Sequence, residues 1–477
     1  MSRLIWLIPL AVLLCAPSLR VQASPEPVVL YVHPNRAGDG SSWAQALPSV
    51  QAALAVAPRG AEVWVAAGTY RPSADTVRTA TFRLRDHVAL YGGFIGTEVD
   101  RRARNPALHR TILSGDLGQT GVADDNAYHV VTGSGTGPEA VLDGFVITGG
   151  YADGAFPHNR GAGVFNASGS PTLRNLVIRD NQAFAVEARA GFGAGVYNDA
   201  GSSPVVADTR LEGNRVVDSG GGGGMANKNG SAPQLTRVVF EGNEAATLGG
   251  GMTNDTGSSP VLRHVVFRAN RARFSGGLDN YGNADPVLYN VHFEDNEAAV
   301  YGGGLTNDAH SDPLLVHVTF SGNVAHNEEQ RGGGALHNDA SSPILLHVTF
   351  FGNKAADGAS GIHSVGTSFP QVSNGIFWNE GPEIEGPAQV RHALVRGGYA
   401  AGDHVLSAEP LFTDAPRDLR PQARSPVCEA GAAEALPPDR HDLDGDGDYA
   451  EPLPLTADAR PETPSVDLGA YACSATQ

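Results

Sequence analysis

Between Gly161 and about Asn379 the apolar positions of this chain recur in a fixed phrase: G-G-G-x-x-N, then S-x-P-x-L-x-x-V-x-F, then x-x-N-x-A. In the copy Gly249–Asn270, GGGMTNDTGSSPVLRHVVFRAN, the apolar markers are Leu262, Val265 and Phe267. Val265 and Phe267 are two apart and share one face of a strand, because side chains alternate along an extended backbone. Leu262 and Val265 are three apart, which breaks the alternation and places a bend at about Arg263–His264. The following copies keep this spacing, with Leu288, Val291 and Phe293, then Leu315, Val318 and Phe320. A helical period does not satisfy the pattern; several very short strands joined by corners do.

The phrase occurs eight times. Its prolines are Pro171, Pro204, Pro233, Pro260, Pro286, Pro313, Pro343 and Pro370, at steps of 33, 29, 27, 26, 27, 30 and 27 residues. A period near 27 marks a solenoid. Three short strands and three turns per period predict one coil of a single-stranded right-handed parallel β-helix, an all-β fold whose coils stack at roughly 4.8 Å. Stacking turns equivalent residues into columns. Phe240, Phe267, Phe293, Phe320 and Phe350 form an internal column. Asn243, Asn270, Asn296, Asn323 and Asn353 form a ladder at a corner, since Asn tolerates the left-handed backbone. The glycine triplets mark another corner, where positive φ or close contact between coils excludes a Cβ. The copy at Gly193 replaces the Phe with Leu211, and the copy at Gly161 uses Ile178. Insertions follow Asn181 (AFAVEARAGF) and Asn323 (AHNEEQR), and extra residues in a solenoid are expected on loops of one face.

A β-helix exposes open strand edges at both ends and needs caps. SVQAALAVA from Ser49 places Val50, Leu54 and Ala57 on one helical face and reads as a short helix plugging the first coil. Strands are expected at Glu62–Ala66 and Thr81–Tyr91. The repeat ends near Asn379, and Pro- and Asp-rich text follows from about Leu406. The organisation expected is a signal peptide at 1–23, an N-terminal cap with the first coils at 28–115, the β-helix repeats at 116–400 and an irregular C-terminal cap at 401–477.

These ends carry a family resemblance. YVHPNRAGDGSSWAQAL, VWVAAGTYRP, TFRLRDHVALYGGFIGTE, RTILSGDL and VLDGFVITGG resemble the leader modules of a large bacterial group of exported right-handed β-helix proteins. The GGG(L/M)xN and FxxN phrases are similar to the repeats of chlamydial polymorphic outer-membrane proteins. ARSPVCEAG … DLDGDGD … VDLGAYAC resembles the terminal module called choice-of-anchor Q. The resemblance spans about Val28 to Cys473. It implies the fold, which is also that of pectate lyases, but a shared scaffold does not transfer chemistry. No β-barrel translocator follows the solenoid, and Cys428 and Cys473 stand where such C-terminal modules usually lack cysteine.

Arg3, the apolar run from Leu4 to Pro17 and Val21-Gln22-Ala23 read as a secretory signal peptide cleaved after Ala23, which predicts an extracellular or cell-envelope location. The alternative, a membrane anchor, needs a longer run; no later segment is long enough to span a bilayer. The chain carries 33 basic and 51 acidic residues, a formal charge of −18, which argues against nucleic acid or an anionic polysaccharide bound by bulk charge but leaves local basic patches open. After cleavage two cysteines remain, Cys428 and Cys473. Export predicts that they pair, with two buried thiols as the alternative.

Three constellations are candidates for chemistry. Asp442, Asp444, Asp446 and Asp448, with Glu451 beyond, put carboxylates at alternate positions with glycines between, as a loop does that wraps Ca²⁺; Leu453 stands where a bidentate acid belongs, so a solvated acidic turn is the alternative. The bend position gives Asn175, Arg237, His264, Asn290, His317, His347 and Asn374. Of these His264, His317 and His347 are either a metal or acid–base stack or, the preferred reading, a turn ladder that tolerates histidine. Asp308 and Asp339, with Asp255 and Asp199, follow the glycine corner and form either an acidic column for cations or sugar hydroxyls or a solvated turn ladder. The motifs of polysaccharide lyases of this fold are not found. Repetition therefore favours a binding, adhesive or structural role, presenting a repetitive face to a polysaccharide or cell-surface glycan. The alternative is a polysaccharide lyase, hydrolase or epimerase, which requires a groove with a unique polar cluster walled by the two insertions.

Overall fold

In each period the residues after the glycine triplet, after the proline and after the ladder asparagine become strands. In one coil these are Met252–Asp255, Val261–Arg268 and Arg271–Ala272. Each pairs in parallel with its equivalent on the next coil: Met252 with Leu278, Leu262 with Leu288, Arg271 with Glu297. The computed structural model describes residues 27–326, 328, 332–432 and 466–474. Over these the chain winds into a right-handed β-solenoid of about 12 turns, with about 2% helix. Its walls are an 11-stranded sheet after the glycine corners, an 8-stranded sheet of very short strands, and a 20-stranded bent sheet that supplies two walls.

The bend inside the last sheet falls where the three-residue spacing places it. His264 has φ +54°, and the same column holds Asn175, Asp208, Arg237, Asn290, His317, His347 and Asn374, all with φ between +50° and +57°. Asn, Asp and histidine, with the single Arg237, occupy it because β-branched and aliphatic side chains are disfavoured in that region. Inside, Phe240, Phe267, Phe293, Phe320, Phe350 and Phe377 stack nearly parallel, with successive centroids 4.6–5.0 Å apart, and are fully buried. The third glycine of each triplet makes room for this column: a Cβ on Gly251 would lie 2.7 Å from a Phe267 ring carbon and 2.7 Å from the next coil's carbonyl oxygen.

The asparagine ladder runs from Asn181 to Asn379 and is fully buried, but for a different reason from the one expected. From Asn181 to Asn353 the left-handed residue is the one before the asparagine, such as Gly242, Ala269 or Asp295. The asparagines instead satisfy buried backbone. Asn270 Nδ2 donates to Asn296 Oδ1 (2.9 Å) and to Phe240 O (3.0 Å), while its backbone N–H donates to the same Asn296 Oδ1 (3.1 Å). A second buried ladder, Asn166 to Asn338, runs through the glycine-corner sheet with Nδ2–Oδ1 bonds of 2.8–2.9 Å.

The N-terminal plug is the helix Val50–Val56, opened by Ser49, whose Oγ accepts from Ala52 N at 3.1 Å, and burying Val50, Ala53 and Leu54. Glu62–Ala66 is a strand as expected. Thr81–Tyr91 is not one strand: Phe82–Arg83 and Ala89–Phe94 belong to different walls, separated by a turn with His87 at φ +56°. At the other end Cys428 and Cys473 form a disulfide with Cα atoms 5.9 Å apart.

Candidate functional site

Along each strand of the glycine-corner sheet side chains alternate, so Met252 and Asn254 point into the solenoid and Thr253 and Asp255 point out. This makes two outward columns. The first reads Tyr197, Ala226, Thr253, Asp279, Thr306, His337, His363. It is buried although it faces outward, because the corner loops fold over it. Thr306 Oγ1 reaches Phe274 O (3.4 Å), and Gly302 N donates to Thr306 Oγ1 (3.1 Å). Phe274, Tyr301, His337 and His363 continue as a ring stack with centroids 5.4, 4.6 and 5.2 Å apart.

The second column faces solvent, with Tyr281 and Asp339 exposed and the others half-buried, and reads Asp199, Lys228, Asp255, Tyr281, Asp308, Asp339. Asp308 and Asp339 are therefore on adjacent coils, but the four acids are not consecutive: Lys228 stands between Asp199 and Asp255 and pairs with Asp255, and Tyr281 stands between Asp255 and Asp308. Tyr281 is 52% exposed.

The two columns shape each other's charge. Asp279 is fully buried beneath the second column, bonded by Thr253 Oγ1 (3.2 Å), and burial together with nearby Asp308 pushes its carboxyl well above the usual range. Burial and Asp339 raise Asp308 to about 7. Asp308 is therefore partly protonated near neutral pH. His337 is driven the other way, to about 3, by burial and by His363, whose Nδ1 lies 3.1 Å from its own.

The insertion after Asn181 closes the N-terminal end of this face. It delivers Phe192 and Arg189 to a cluster in which Arg160 lies over Phe156 (4.8 Å), Phe192 (5.5 Å) and Tyr197 (5.2 Å). Lys228 Nζ sits 3.9 Å from the Phe192 ring centre, and Tyr197 Oη donates to Asp199 Oδ2 at 2.9 Å. The insertion after Asn323 leaves at His326, bonded to Glu297 (2.7 Å), and returns at Gly332 beside Tyr301. Sequence reading missed Asp279 and the Arg160–Phe192 cluster. The signal for Asp279 was present: aligned on the glycine corner, LDN stands where neighbouring copies have MTN and LTN.

The other candidates lie elsewhere. His264, His317 and His347 sit on the bent sheet. His317 and His347 stack at 5.0 Å, while His264 is bonded to Asn290 (2.7 Å) and is not brought to them. Burial, with His317 beside it, holds His347 near 3, and the backbone of Asp467 and Gly469 bonds it. Asp442, Asp444, Asp446, Asp448 and Glu451 lie outside the described residues. Asp86, His87 and Glu139 also converge, but the Arg59 guanidinium contacts His87 and pairs with Asp86 at 3.5 Å, placing a cation there already.

This architecture defines the chain as a right-handed parallel β-helix of the pectate-lyase-like fold. Residues 195–377 match the family model described as "Right handed beta helix region". Among solved structures the chain is similar to pectate lyase Pel9A, at 11% identity over 94% of this chain and 96% of that one, with a TM-score of 0.51. A rhamnogalacturonan lyase aligns at 11% identity over 80% and 85% with a TM-score of 0.30, too low to bear on the fold. No curated protein matches the sequence. At such identity the likeness concerns fold alone. Among the described residues no helix is long and apolar enough to cross a membrane.

Proposed function

We propose that this is an exported glycan-binding β-helix whose working face is the outer side of the glycine-corner sheet. One observation carries the reading: the backbone of the solvent-facing column repeats while its side chains do not, leaving Tyr281 bare between Asp255 and Asp308. An exposed aromatic ring offers a flat apolar surface to the C–H face of a sugar, and flanking carboxylates accept from its hydroxyls. The acidic row and the net charge of −18 disfavour polyanions, so the ligand class is a neutral or amino-substituted polysaccharide. The test is affinity electrophoresis of the full chain in gels cast with neutral, amino-substituted or uronate polysaccharides. Retardation by a neutral or amino-substituted polymer, weakened about tenfold by Tyr281→Ala, is expected from losing one buried aromatic contact. Free migration in the neutral and amino-substituted gels, or retardation there that is indifferent to Tyr281→Ala, rejects the reading.

A second reading is supported by a carboxyl raised to the neutral range. Asp308, raised to about 7, has the property of a general acid that protonates a glycosidic oxygen. Time-dependent release of reducing ends from a bound polysaccharide, abolished by Asp308→Asn, would establish a hydrolase. Stable binding without release leaves the binding role.

A further inference from the structure

The sequence carries an arginine run that neither the coil repeat nor the face around Tyr281 uses: Asp100-Arg101-Arg102-Ala103-Arg104-Asn105-Pro106. It belongs to the excursion between strands Ala89–Phe94 and Thr111–Ser114 and opens with a single 3₁₀ turn, Arg101–Ala103. Two glycines let this excursion lie against the bent sheet. A Cβ on Gly93 would meet Pro106 at 2.7 Å, and one on Gly144 would meet the Arg104 guanidinium at 2.5 Å. Between the excursion and the head of the bend column is a cavity of about 660 Å³, lined among others by Arg101, Arg102, Arg104, Asn175, Asp208 and Arg210.

The charges around it do not cancel evenly. Asp143, 1% exposed, is shared by Arg104 Nη2 (2.6 Å) and Arg174 Nε (2.6 Å), with Asn175 Nδ2 at 2.9 Å, so two guanidiniums face one carboxylate. Arg101 is matched by Glu62 and lies over the Tyr91 ring at 4.4 Å. Asp208 is held at both oxygens by Arg237 (2.6 and 2.8 Å) and is neutralised. Arg210 is bonded to Glu241 (2.5 Å) and Glu212 (3.3 Å). The Arg102 side chain has no partner among the described residues. The second carboxylate on Arg210 offsets the second guanidinium on Asp143, so the unmatched charge at this concave site is that of Arg102, where local field outweighs distant charge. The volume lies within the roughly 300–1,000 Å³ of small-molecule sites.

We infer that this cavity is a second, independent ligand site, for the carboxylate of an acidic sugar. Guanidinium matches a carboxylate in two parallel hydrogen bonds. Arg102 supplies the free fork and Arg104 is fixed by Asp143 as a positively charged wall; Asn105 Oδ1 already accepts from Ala107 N and Leu108 N, and Asn175 Nδ2 is taken by Asp143, which leaves Asn105 Nδ2 and Asn175 Oδ1 for ring hydroxyls.

Calorimetric titration of the intact protein at low salt tests this with three probes: glucuronate, glucose and sulfate. Glucuronate binds saturably, glucose does not, and sulfate competes with glucuronate. Arg102→Gln weakens glucuronate about tenfold or more, the size of one lost charge-assisted contact, with an unchanged melting temperature. Tyr281→Ala leaves it unaltered, which separates this site from the face around Tyr281. Absence of glucuronate binding, equal affinity in the Arg102→Gln protein, or binding of sulfate but not glucuronate overturns the assignment.

Discussion

Asn296 shows how much one side chain does in a coil that buries its corners. Its Oδ1 accepts from both the backbone N–H and the Nδ2 of Asn270, and its Nδ2 donates to Asn323 Oδ1 (2.9 Å) and Phe267 O (2.8 Å). Asn296→Ala leaves two buried donors without their acceptor, at about 1–3 kcal/mol each, so urea unfolding should lose about 3 kcal/mol or more. Asp308 makes a prediction of a different kind. Its folded pKa of about 7 exceeds the ordinary 3.8 of an aspartate, so between those values the folded state holds the extra proton and stability falls as pH rises. Asp308→Asn removes that loss. Its melting temperature relative to the natural chain should be higher at pH 8 than at pH 4 by about 2 °C or more. Comparing variant with natural chain at each pH cancels His347, whose depressed pKa acts in the opposite direction, costing stability as pH falls below about 6.5.

At the scale of the element, the bent strand depends on one left-handed residue per coil. Asn290, at φ +52°, sits at the bend of the strand Val287–Glu294. A β-branched residue there pays the left-handed penalty of about 1–2 kcal/mol, whereas glycine does not. Asn290→Val should therefore lower the urea midpoint, and Asn290→Gly should leave it close to the natural value. This bend was legible in the sequence because Leu288 and Val291 are three apart, and spacing reports backbone geometry directly. The phenylalanine column was legible for the same reason. The glycine-corner face was only half legible. Asp308 and Asp339 could be placed on one edge, but Tyr281 and Lys228 enter that column only when strands are put in register. Burial of Asp279 and of His337 depends on corner loops with no repeat of their own. The arginine cavity lay outside the periodic region altogether, and only packing of the excursion on Gly93 and Gly144 assembles it.

The whole molecule is a stack whose coils contact only their neighbours, so its stability is set coil by coil and its ends are the weak points. At the C-terminal end residues 466–474 run across the coils instead of along them. Gly469 N donates to Asn374 O (2.8 Å), Ala470 N to Thr349 Oγ1 (3.0 Å), and Tyr471 Oη lies 3.3 Å from both Thr319 Oγ1 and His292 Nδ1. His292, Thr319, Thr349 and Ile376 are equivalent positions on four successive coils, so the segment staples these coils from outside. Its far end is held by the disulfide to Cys428 and by Asp467, which accepts from Glu429 N and Cys473 N at 2.8 Å each. Closing 45 residues contributes about 4 kcal/mol in the chain-entropy model. Replacing both cysteines by serine should lower the melting temperature and do so unevenly. Hydrogen exchange should accelerate in residues 466–474 and in the coils they cross, from Val287 to Val395, while the coils around Leu173 and Leu211 exchange as before. Uniform acceleration along the axis would show that the staple supports the whole solenoid as one cooperative unit, and would remove the coil-by-coil account of its stability.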